Sequence, residues 1–497
     1  MSGPGTEIAA EPTFAFQLST LMTASPNLHR RTLLGAGLAA APLLTAGHAN
    51  AASRSTAVPT LLAGKAAPVA VAAGDATLVP AAAFGITPST DRDQTTALQA
   101  AIDQATAKGL GLSLPPGIYL FAGLQLRPGS RLIGTPGHTV LRYSGAGVGL
   151  IAAAAPGIRL EHLQIDGANL PLDRSRTQAL IQISDCRDIN LTGLHIKSSA
   201  ANGLHLLRCA GRIADCRIEG AADAGLWSLD ADMLDSGLII SGGAVTDCGD
   251  NGILVWRSQH GRDGTRISDV AIARIGNRSG GSGQYGNGIN VFRSADVGVV
   301  NCRISDCAYS AIRGNASSNI QMLGNHVARA GEVALYAEFG FEGALIANNI
   351  IDGAATGIAV ANFREGGRLA VVQGNLIRNL VRREHELVDK RGEGIVVEAD
   401  AVVSSNVIEG APTAGIAIGW GPHLRDVVAT GNLIRASTIG IAVSGDTGAG
   451  KCLLANNMIS GATGGAIRAM DHSKPVGTDL LSATAPKHIT MSGNIVA

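Results

Sequence analysis

Three polar side chains in the middle of the sequence have chemistry that could act on a sugar acid. In a β-elimination, a base removes the proton beside the carboxylate while cations or amides hold that carboxylate. Arg313 could be the base or the clamp, Tyr336 the acid or the base, and Glu338 supplies a carboxyl group. Hydrolysis needs two carboxyl groups instead, and Glu338 with Glu398 is the candidate pair. The sequence leaves both mechanisms open, together with a purely binding role.

Candidate substrate-binding side chains surround these three residues. Ten of the chain's 16 aromatic residues lie between Trp227 and Trp420. Aromatic faces, amides and carboxylates suit stacking on sugar rings and hydrogen bonding to their hydroxyl groups. We predict a substrate-binding role for Trp256, Asn290, Phe292, Asn315 and Glu398. Two long excursions, residues 277–287 and 381–393, are predicted to wall a groove beside them.

The sequence offers no convincing metal site. It contains no CxxC motif and no His/Cys spacing typical of zinc. Asp230, Asp232 and Asp235 are spaced closely enough to hold Ca²⁺, but a solvated acidic turn is the simpler interpretation. We therefore predict no metal and no cofactor. The seven cysteines are an odd count and lie within the repeats described below, which favours buried thiols over a disulfide framework.

Composition excludes several classes of protein. The 497 residues include 39 basic and 39 acidic side chains, so the formal net charge is zero. A neutral chain without a basic run does not favour nucleic acid or an anionic membrane as its main partner. Sixty-five glycines with only 3% aromatic residues indicate many tight turns and a core of small aliphatic side chains. That combination points to a repeat protein.

One repeat runs through the chain from about residue 158. Each copy has an apolar or Asn residue followed two positions later by Ile or Val, and most copies continue into a glycine turn and Gly-Ile-x-Val. Copies recur at intervals of 22 to 37 residues. The Ile/Val column is Ile165, Ile196, Ile218, Val245, Ile272, Ile304, Val327, Ile351, Ile377, Ile408, Ile434, Ile459 and Val496. We predict that these side chains stack on one another.

Short period-2 elements and glycine turns predict the fold class. No repeat carries a helix-length pattern of period 3.6, and the Leu spacing of leucine-rich repeats is missing. We predict an all-β chain, a right-handed single-stranded parallel β-helix of about 12 coils. One column is Asn in seven consecutive repeats, and we interpret it as a structural ladder whose buried amides bond to backbone and to each other. Its members are Asn325, Asn349, Asn375, Asn406, Asn432, Asn457 and Asn494.

The x positions of Gly-Ile-x-Val and the residues two later are predicted to face outward. Because neighbouring coils lie about 4.8 Å apart, the candidate catalytic and binding residues from Trp256 to Glu338 should form one patch. Toward the C-terminus the same outward columns contain mainly Ala, Val, Gly and Ser. We predict that this end of the face is featureless.

The segment before the repeats contains one amphipathic helix. Asp91 or Asp93 can cap it, Leu98, Ala101, Ile102 and Ala105 share one face, and Gly109 ends it. Together with Leu114-Pro115-Pro116-Gly117-x-Tyr119, it resembles the N-terminal region of pectate-lyase-like proteins. The resemblance implies that the helix plugs the open end of the β-helix.

The first residues of the chain are predicted to be an export signal. Arg30-Arg31-Thr32-Leu33-Leu34 opens an apolar stretch of about 12 residues, too short for the roughly 20 needed to cross a bilayer. Ala49-Asn50-Ala51 has the form of a signal-peptidase site. The paired arginines resemble a twin-arginine signal, although an ordinary Sec signal with a chance Arg pair is the alternative. Translation is suspected to begin at Met22, because residues 1–21 contain no Lys or Arg.

These features divide the chain into four predicted segments. Residues 1–51 are a twin-arginine signal peptide, 52–80 an Ala-rich linker, 81–157 the N-terminal cap with the first coils, and 158–497 the parallel β-helix repeats. The whole resembles the twin-arginine-translocated repetitive β-helix proteins, whose biochemical role the resemblance does not supply. It implies a periplasmic or secreted protein that crosses the membrane folded, has no stable membrane span and uses the twin-arginine translocase as a transient partner.

Two functions remain at this stage. In the first, the exported β-helix binds an acidic polysaccharide or cell-envelope glycan on an outward sheet face, and a lyase, hydrolase or epimerase activity is left open. In the second, it is a non-catalytic structural or adhesion module of the cell envelope that uses the stiff solenoid as a surface.

Overall fold

The computed structural model describes residues 78–145, 147–231, 237–281, 283–361, 363–383 and 392–497. All of these belong to one compact unit, Ala72–Ala497. The predicted signal peptide and nearly all of the predicted linker lie outside the described residues. Leu78–Pro80, at the end of that linker, already forms a strand that pairs with Gly111–Ser113. Within the described residues, no helix is both long and apolar enough to cross a membrane.

Three long sheets, here named A, B and C, run the length of the unit. Sheet A has 16 strands. In stacking order they are β1 (Leu78–Pro80), β3 (Gly111–Ser113), β6 (Arg131–Ile133), β9 (Arg159–Glu161), β12 (Ile189–Thr192), β15 (Gly211–Ala214), β18 (Leu238–Ser241), β21 (Arg266–Ser268), β24 (Gly298–Val300), β27 (Ile320–Leu323), β30 (Glu342–Ala347), β33 (Arg368–Gln373), β36 (Ala399–Ser404), β39 (Arg425–Thr430), β42 (Cys452–Ala455) and β46 (Ile489–Ser492).

Sheet B also has 16 strands and follows sheet A in each coil. Its strands are β2 (Ser89–Asp93), β4 (Gly117–Phe121), β7 (Thr139–Tyr143), β10 (Gln164–Asp166), β13 (His195–Lys197), β16 (Arg217–Glu219), β19 (Ala244–Thr246), β22 (Ala271–Ile275), β25 (Arg303–Cys307), β28 (His326–Ala328), β31 (Ile350–Asp352), β34 (Leu376–Arg378), β37 (Val407–Glu409), β40 (Leu433–Arg435), β43 (Met458–Ser460) and β47 (Ile495–Val496).

Sheet C has 15 strands and carries the Gly-Ile-x-Val segments. Its strands are β5 (Leu124–Leu126), β8 (Leu150–Ala153), β11 (Ala179–Ser184), β14 (Asn202–Leu207), β17 (Ala224–Leu229), β20 (Asn251–Arg262), β23 (Asn287–Ala295), β26 (Ile312–Asn315), β29 (Val333–Glu338), β32 (Thr356–Val360), β35 (Glu393–Val397), β38 (Ala414–Ile418), β41 (Ile439–Ser444), β44 (Ile467–Asp471) and β45 (Lys474–Val476). Neighbouring strands pair in parallel, except that β45 turns back antiparallel to β44.

The fold is the predicted right-handed parallel β-helix. Ile304 pairs with Val327 and Val327 with Ile351, and the same register holds for every step of the Ile/Val column from Ile165 to Val496. The described stack has 16 strands in each of two sheets, so the expectation of about 12 coils is too low. The difference arises because the coils before residue 158 carry Tyr119 and Leu141 at the position of the Ile/Val column and have no Gly-Ile-x-Val element.

Helix α1, Thr95–Ala107, forms where the sequence predicts it. Asp93 accepts a hydrogen bond from the Thr95 backbone N–H through Oδ1 at 2.9 Å. Leu98, Ala101, Ile102 and Ala105 are its buried residues, and they belong to the same hydrophobic core as the first strands. The remaining helical segments of the described chain are two short 3₁₀ turns, Ala81–Phe84 and Phe363–Glu365.

The glycine that opens each Gly-Ile-x-Val segment is required by contact between coils. A Cβ atom on Gly252 would lie 2.3 Å from the carbonyl oxygen of Gly288, and one on Gly394 would lie 2.2 Å from that of Gly415. Such distances are shorter than real carbon–oxygen contacts, so a side chain would push the coils apart. The repeated glycine therefore sets the close stacking of sheet C.

The Asn column forms a continuous hydrogen-bonded ladder in the turn between sheets A and B. Both the backbone N–H and the Nδ2 of Asn325 donate to Oδ1 of Asn349, at 2.8 and 3.1 Å. Nδ2 of Asn325 also donates to the Val299 carbonyl at 3.0 Å. The arrangement repeats through Asn494. Because each amide is satisfied by the next coil, a run of identical residues is required.

All seven cysteines are free, buried thiols, as the sequence indicates. Burial raises the pKa of Cys248, Cys307 and Cys452 to about 12. At neutral pH these side chains are therefore protonated and serve as small apolar groups in the core.

Candidate functional site

The predicted patch forms on the outer face of sheet C. Register pairs Asn290 with Arg313 and Arg313 with Tyr336 in one column. In the column two residues further along, Trp256, Phe292, Asn315 and Glu338 are aligned in the same way. The sequence therefore places these seven side chains correctly, on four neighbouring strands, β20, β23, β26 and β29.

Most of this patch is covered, contrary to the expectation that it faces solvent. Trp256, Asn290, Arg313, Tyr336 and Glu338 retain only 3–9% of their accessible surface. The segment between β22 and β23 covers part of it. The carbonyl of Gln284 accepts a hydrogen bond from Asn290 Nδ2 at 3.1 Å, and Gly283 packs directly against the guanidinium of Arg313. Gly283 and Gln284, in the second half of the predicted excursion, thus cover this part of the face.

Two of the predicted catalytic residues neutralise each other. Nε of Arg313 donates to Oε1 of Glu338 at 2.5 Å, and Asn315 Nδ2 donates to the same oxygen at 2.9 Å. A guanidinium is a donor only, so Arg313 in this pair is unsuited to the role of base. Burial, reinforced by the charges of Glu338 and Glu332, raises the pKa of Tyr336 well above its usual value. Tyr336 is consequently a neutral phenol at physiological pH.

The aromatic residues of the patch pack on one another instead of lining a cleft. His205 stacks on Trp227 with ring centroids 4.4 Å apart. Trp227 meets Trp256 edge to face at 5.9 Å, and Trp256 meets Phe292 in the same way at 5.8 Å. This row of rings spans four coils. Because the rings contact one another, they leave less aromatic surface on which a sugar could stack.

A groove lies further toward the C-terminus, in the region predicted to be featureless. Its volume is about 410 Å³. It crosses strands β29, β32, β35, β38, β41 and β44 of sheet C. The lining residues are Val333, Tyr336, Thr356, Ala359, Ala361, Arg382, Glu393, Val396, Glu398, Thr413, Ala414, Ala417, Gly419, Trp420, Ile439, Ala442, Met470, His472 and Ser473.

Small outward side chains create the groove. Ala359, Val396, Ala417 and Ala442 follow one another in register along its floor. Earlier coils of the same sheet carry larger side chains in the outward columns, such as Trp227, Arg313 and Tyr336. The small side chains of the later coils therefore leave a hollow on the sheet. The run of small outward residues is the sequence feature that indicates the groove. A search of the sequence for reactive side chains does not detect it.

Polar and aromatic groups stand at the edges of this floor. Glu398 accepts a hydrogen bond from the Phe363 backbone N–H through Oε2 at 2.6 Å, which orients its carboxylate. Nη2 of Arg382 donates to the Pro412 carbonyl at 2.5 Å. Trp420 packs edge to face on His472 with centroids 5.1 Å apart. The groove therefore offers an apolar base with hydrogen-bonding groups around it, the usual make-up of a small-molecule site.

Two of the eight predicted catalytic and binding residues, Tyr336 and Glu398, line this groove. The described lining does not include Trp256, Asn290, Phe292, Arg313, Asn315 or Glu338. Tyr336 connects the two regions, because its ring centroid lies 5.8 Å from the Arg313 guanidinium and the residue also lines the groove. Among the described residues, no group of three or more His, Cys, Asp or Glu side chains could hold a metal ion.

The sequence model of a protein family described as "right handed beta helix region" matches residues 179–365 and 251–434. Together these overlapping matches span just over half of the chain. The chain belongs to the right-handed β-helix family. The family assignment of this β-helix agrees with its sheet topology and does not extend to the narrower twin-arginine family that the sequence resembles. The comparison with curated proteins gives no significant match.

Several solved structures are similar to this β-helix at low sequence identity. The N-terminal fragment of bacteriophage phi29 gene product 12 is 14% identical, with 84% of this chain and 70% of that chain covered and a TM-score of 0.49. The catalytic unit of an α-1,3-glucanase from Streptomyces thermodiastaticus is 14% identical, covering 84% and 68%, with a TM-score of 0.39. PfbA, a surface adhesin of Streptococcus pneumoniae, is 14% identical, covering 79% and 92%, with a TM-score of 0.37. Similarity at this level does not transfer an activity to this chain.

Proposed function

We propose that the groove on sheet C binds an extended glycan chain. The observation that carries the proposal is its shape, a hollow that follows the stacking axis over six coils, or roughly 24 Å between its first and last strands. Its Ala-rich floor suits the apolar faces of sugar rings. Trp420 supplies aromatic surface, the largely buried Tyr336 borders the first strand of the groove, and Glu398 and Thr413 supply hydrogen-bonding groups.

The charges around the groove favour an uncharged glycan over an acidic one. Among the described lining residues, Glu393 and Glu398 carry carboxyl groups and Arg382 carries a guanidinium. Elsewhere, exposed arginines pair with aspartates of the preceding coil, as in Arg274 with Asp247 and Arg329 with Asp306. The described part of the lining therefore holds more acidic than basic side chains, which favours a neutral glycan over a uronate chain. The acidic polysaccharide expected from the sequence is accordingly replaced by a neutral glycan in this proposal.

The groove geometry supports binding rather than hydrolysis. Glu393 and Glu398 lie five residues apart along one strand direction, about 16 Å between their Cα atoms. Hydrolysis by retention or inversion uses carboxyl groups about 5 to 9.5 Å apart, which these two glutamates could reach only with both side chains extended toward each other. The pair that the sequence predicts, Glu338 with Glu398, is disfavoured because the carboxylate of Glu338 accepts hydrogen bonds from Arg313 and Asn315.

The experiment is a glycan panel that contains neutral and uronate-rich polysaccharides. The full chain is tested for binding, for new reducing ends and for unsaturated-uronate absorbance. Ala417→Trp fills the floor and is expected to weaken binding at least tenfold, whereas Ala271→Trp, an outward Ala of sheet B, leaves binding unchanged. If Ala417→Trp binds glycan as tightly as wild type, the groove is not the binding site. If the chain binds uronate-rich polysaccharides in preference to neutral ones, the charge argument is wrong.

The second candidate is a non-catalytic adhesion or structural module of the envelope. Both candidates are compatible with the absence of a membrane-spanning helix from the described residues. We include in the proposal that the chain is exported folded by the twin-arginine route. Failure of every glycan in the panel to bind, with the fold intact, would favour the structural module.

A further inference from the structure

Outward positions of sheet B change character abruptly along the stack. The row that aligns with Ile350 starts with Ile118, Val140 and Gln164 and then runs through six coils as His195, Arg217, Ala244, Ala271, Arg303 and His326. From there it continues as Ile350, Leu376, Val407, Leu433, Met458 and Ile495, without a polar member. The fold does not require an apolar residue at these positions, since the seven consecutive coils from Gln164 to His326 carry none larger than Ala.

Sheet A carries a second apolar row beside the first, on the other side of the Asn ladder. Its members in register are Leu345, Val371, Val402, Val428 and Leu453. Eight side chains of the two rows are exposed by 36–61% in the described structure. We call these two rows the aliphatic face.

The aliphatic face is large enough to be an interface. It extends over six coils and two sheets, which amounts to an apolar patch on the order of 600–800 Å². A standard protein interface buries about 800 Å² on each partner, and the largest patch on a typical monomer is about 300–600 Å².

The border of the aliphatic face is polar, and its charges alternate. Along the outer edge of sheet B, Asp352, Arg378, Glu409 and Arg435 occupy successive coils in register. Arg378 pairs with Asp352 at 2.8 Å and Arg435 with Glu409 at 3.5 Å, so the edge is neutral overall. An apolar centre with a neutral polar border is the typical anatomy of a protein–protein interface.

We propose that the aliphatic face binds a second copy of this chain, with the two β-helices antiparallel. A twofold axis in the plane of the face and perpendicular to the helix axis reverses the order of the coils while keeping each row opposite itself. Centred between β37 and β40, this arrangement places Val407 against Leu433 of the second copy. Leu376 then meets Met458 of the second copy, and Ile350 meets Ile495 of the second copy.

The alternating charges select this orientation. In the antiparallel register, Glu409 faces Arg435 of the second copy, and Arg435 faces Glu409 of the second copy. When a row of alternating charges is reversed, each charge faces one of opposite sign. In parallel packing this edge would instead lie against the opposite side of the face, and the two Glu409–Arg435 contacts between copies would not form. The partner is therefore argued from charge complementarity and size together.

The first test measures the mass of the full chain in solution by sedimentation velocity over a concentration series. Wild type is expected to form a dimer at concentrations below about 100 µM. Val407→Lys buries an unpaired charge twice per dimer and should raise the dissociation constant more than about 100-fold. Ala271→Lys, in the polar half of the same row, should leave it unchanged. A wild type that stays monomeric up to about 100 µM, or that binds another protein there but not itself, overturns the proposal.

The second test addresses the orientation and does not depend on Val407→Lys folding. Glu409→Arg and Arg435→Glu are each expected to weaken the dimer, and the double exchange should restore its dissociation constant close to that of wild type. Each single variant also breaks the Arg435–Glu409 ion pair within one chain. The melting temperatures of all three variants show whether that loss destabilises the fold itself. If the double variant dimerises no better than the single variants, the antiparallel register is wrong.

Discussion

Arg313 and Glu338, two of the residues that the sequence marks as catalytic, form a buried ion pair. Their side chains are 10% and 4% exposed, and Nε of Arg313 lies 2.5 Å from Oε1 of Glu338. Such a pair is costly to break, because removal of one partner leaves the other charge buried and unpaired. The pair links strands β26 and β29 and is positioned to stabilise the stack beside the groove.

The first prediction concerns this pair. Glu338→Ala is expected to lower the free energy of unfolding by about 3–5 kcal/mol, measured by urea denaturation. The double variant Arg313→Met with Glu338→Met should be clearly more stable than Glu338→Ala, since no charge remains unpaired. A Glu338→Ala protein as stable as wild type that has lost a measurable glycan-cleaving activity would restore the catalytic interpretation.

The second prediction concerns the Asn ladder. Asn406→Ala removes the Oδ1 that accepts from the backbone N–H and Nδ2 of Asn375, and the site is fully buried. The expected loss is about 2–3 kcal/mol of unfolding free energy, with glycan binding per folded molecule unchanged. Gln321→Ala, which truncates an exposed amide on β27, three strands away from β36 in sheet A, is the control and should cost less than about 0.5 kcal/mol. Equal effects of the two substitutions would argue against the ladder's structural role.

The third prediction is a pH dependence that comes from His205. Burial lowers the pKa of this imidazole to about 4, against 6.5 for the unperturbed group. The folded state therefore keeps His205 neutral, and the unfolded state binds the extra proton below pH 6.5. Stability should fall as the pH decreases from 6.5 to about 4, by about 3 kcal/mol from this group.

His205→Gln isolates that contribution. The variant should show a shallower dependence of unfolding free energy on pH between 4 and 6.5 than wild type does, while the acid-range effect of the paired aspartates remains in both. Parallel curves for the two proteins would show that His205 is not the group responsible.

The fourth prediction tests export. Replacement of Arg30 and Arg31 by Lys keeps the positive charge but removes the paired arginines that a twin-arginine signal requires. The precursor should then accumulate in the cytoplasm, as judged by fractionation, whereas Arg54→Lys beyond the predicted cleavage site should be exported normally. Normal export of the double-Lys protein would indicate a Sec signal instead.

Much of the architecture was predictable from the sequence because the repeat carries its own register. Each coil repeats the same Ile or Val, so aligning Ile304, Val327 and Ile351 in the sequence also aligns them in space. The Asn column was interpretable for the same reason: an amide repeated at one position of successive coils bonds to its copy. The early coils were undercounted because they lack both features.

The site was less predictable, because it depends on what lies above the sheet. Register placed Asn290 and Arg313 side by side, but only the path of the segment that includes Gly283 and Gln284 determines that they are covered. The groove was missed for the complementary reason. Ala417 and Ala442 carry no chemistry themselves, and their importance lies in the space they leave between Tyr336 and Trp420.

The position of a bound sugar tests the central claim most directly. A crystal structure of the chain soaked with the tightest-binding neutral oligosaccharide from the panel would show it. We predict sugar density along the floor formed by Ala359, Ala417 and Ala442, with one ring against Trp420. Density over Trp256 and Phe292, or on another sheet, would contradict the proposed function.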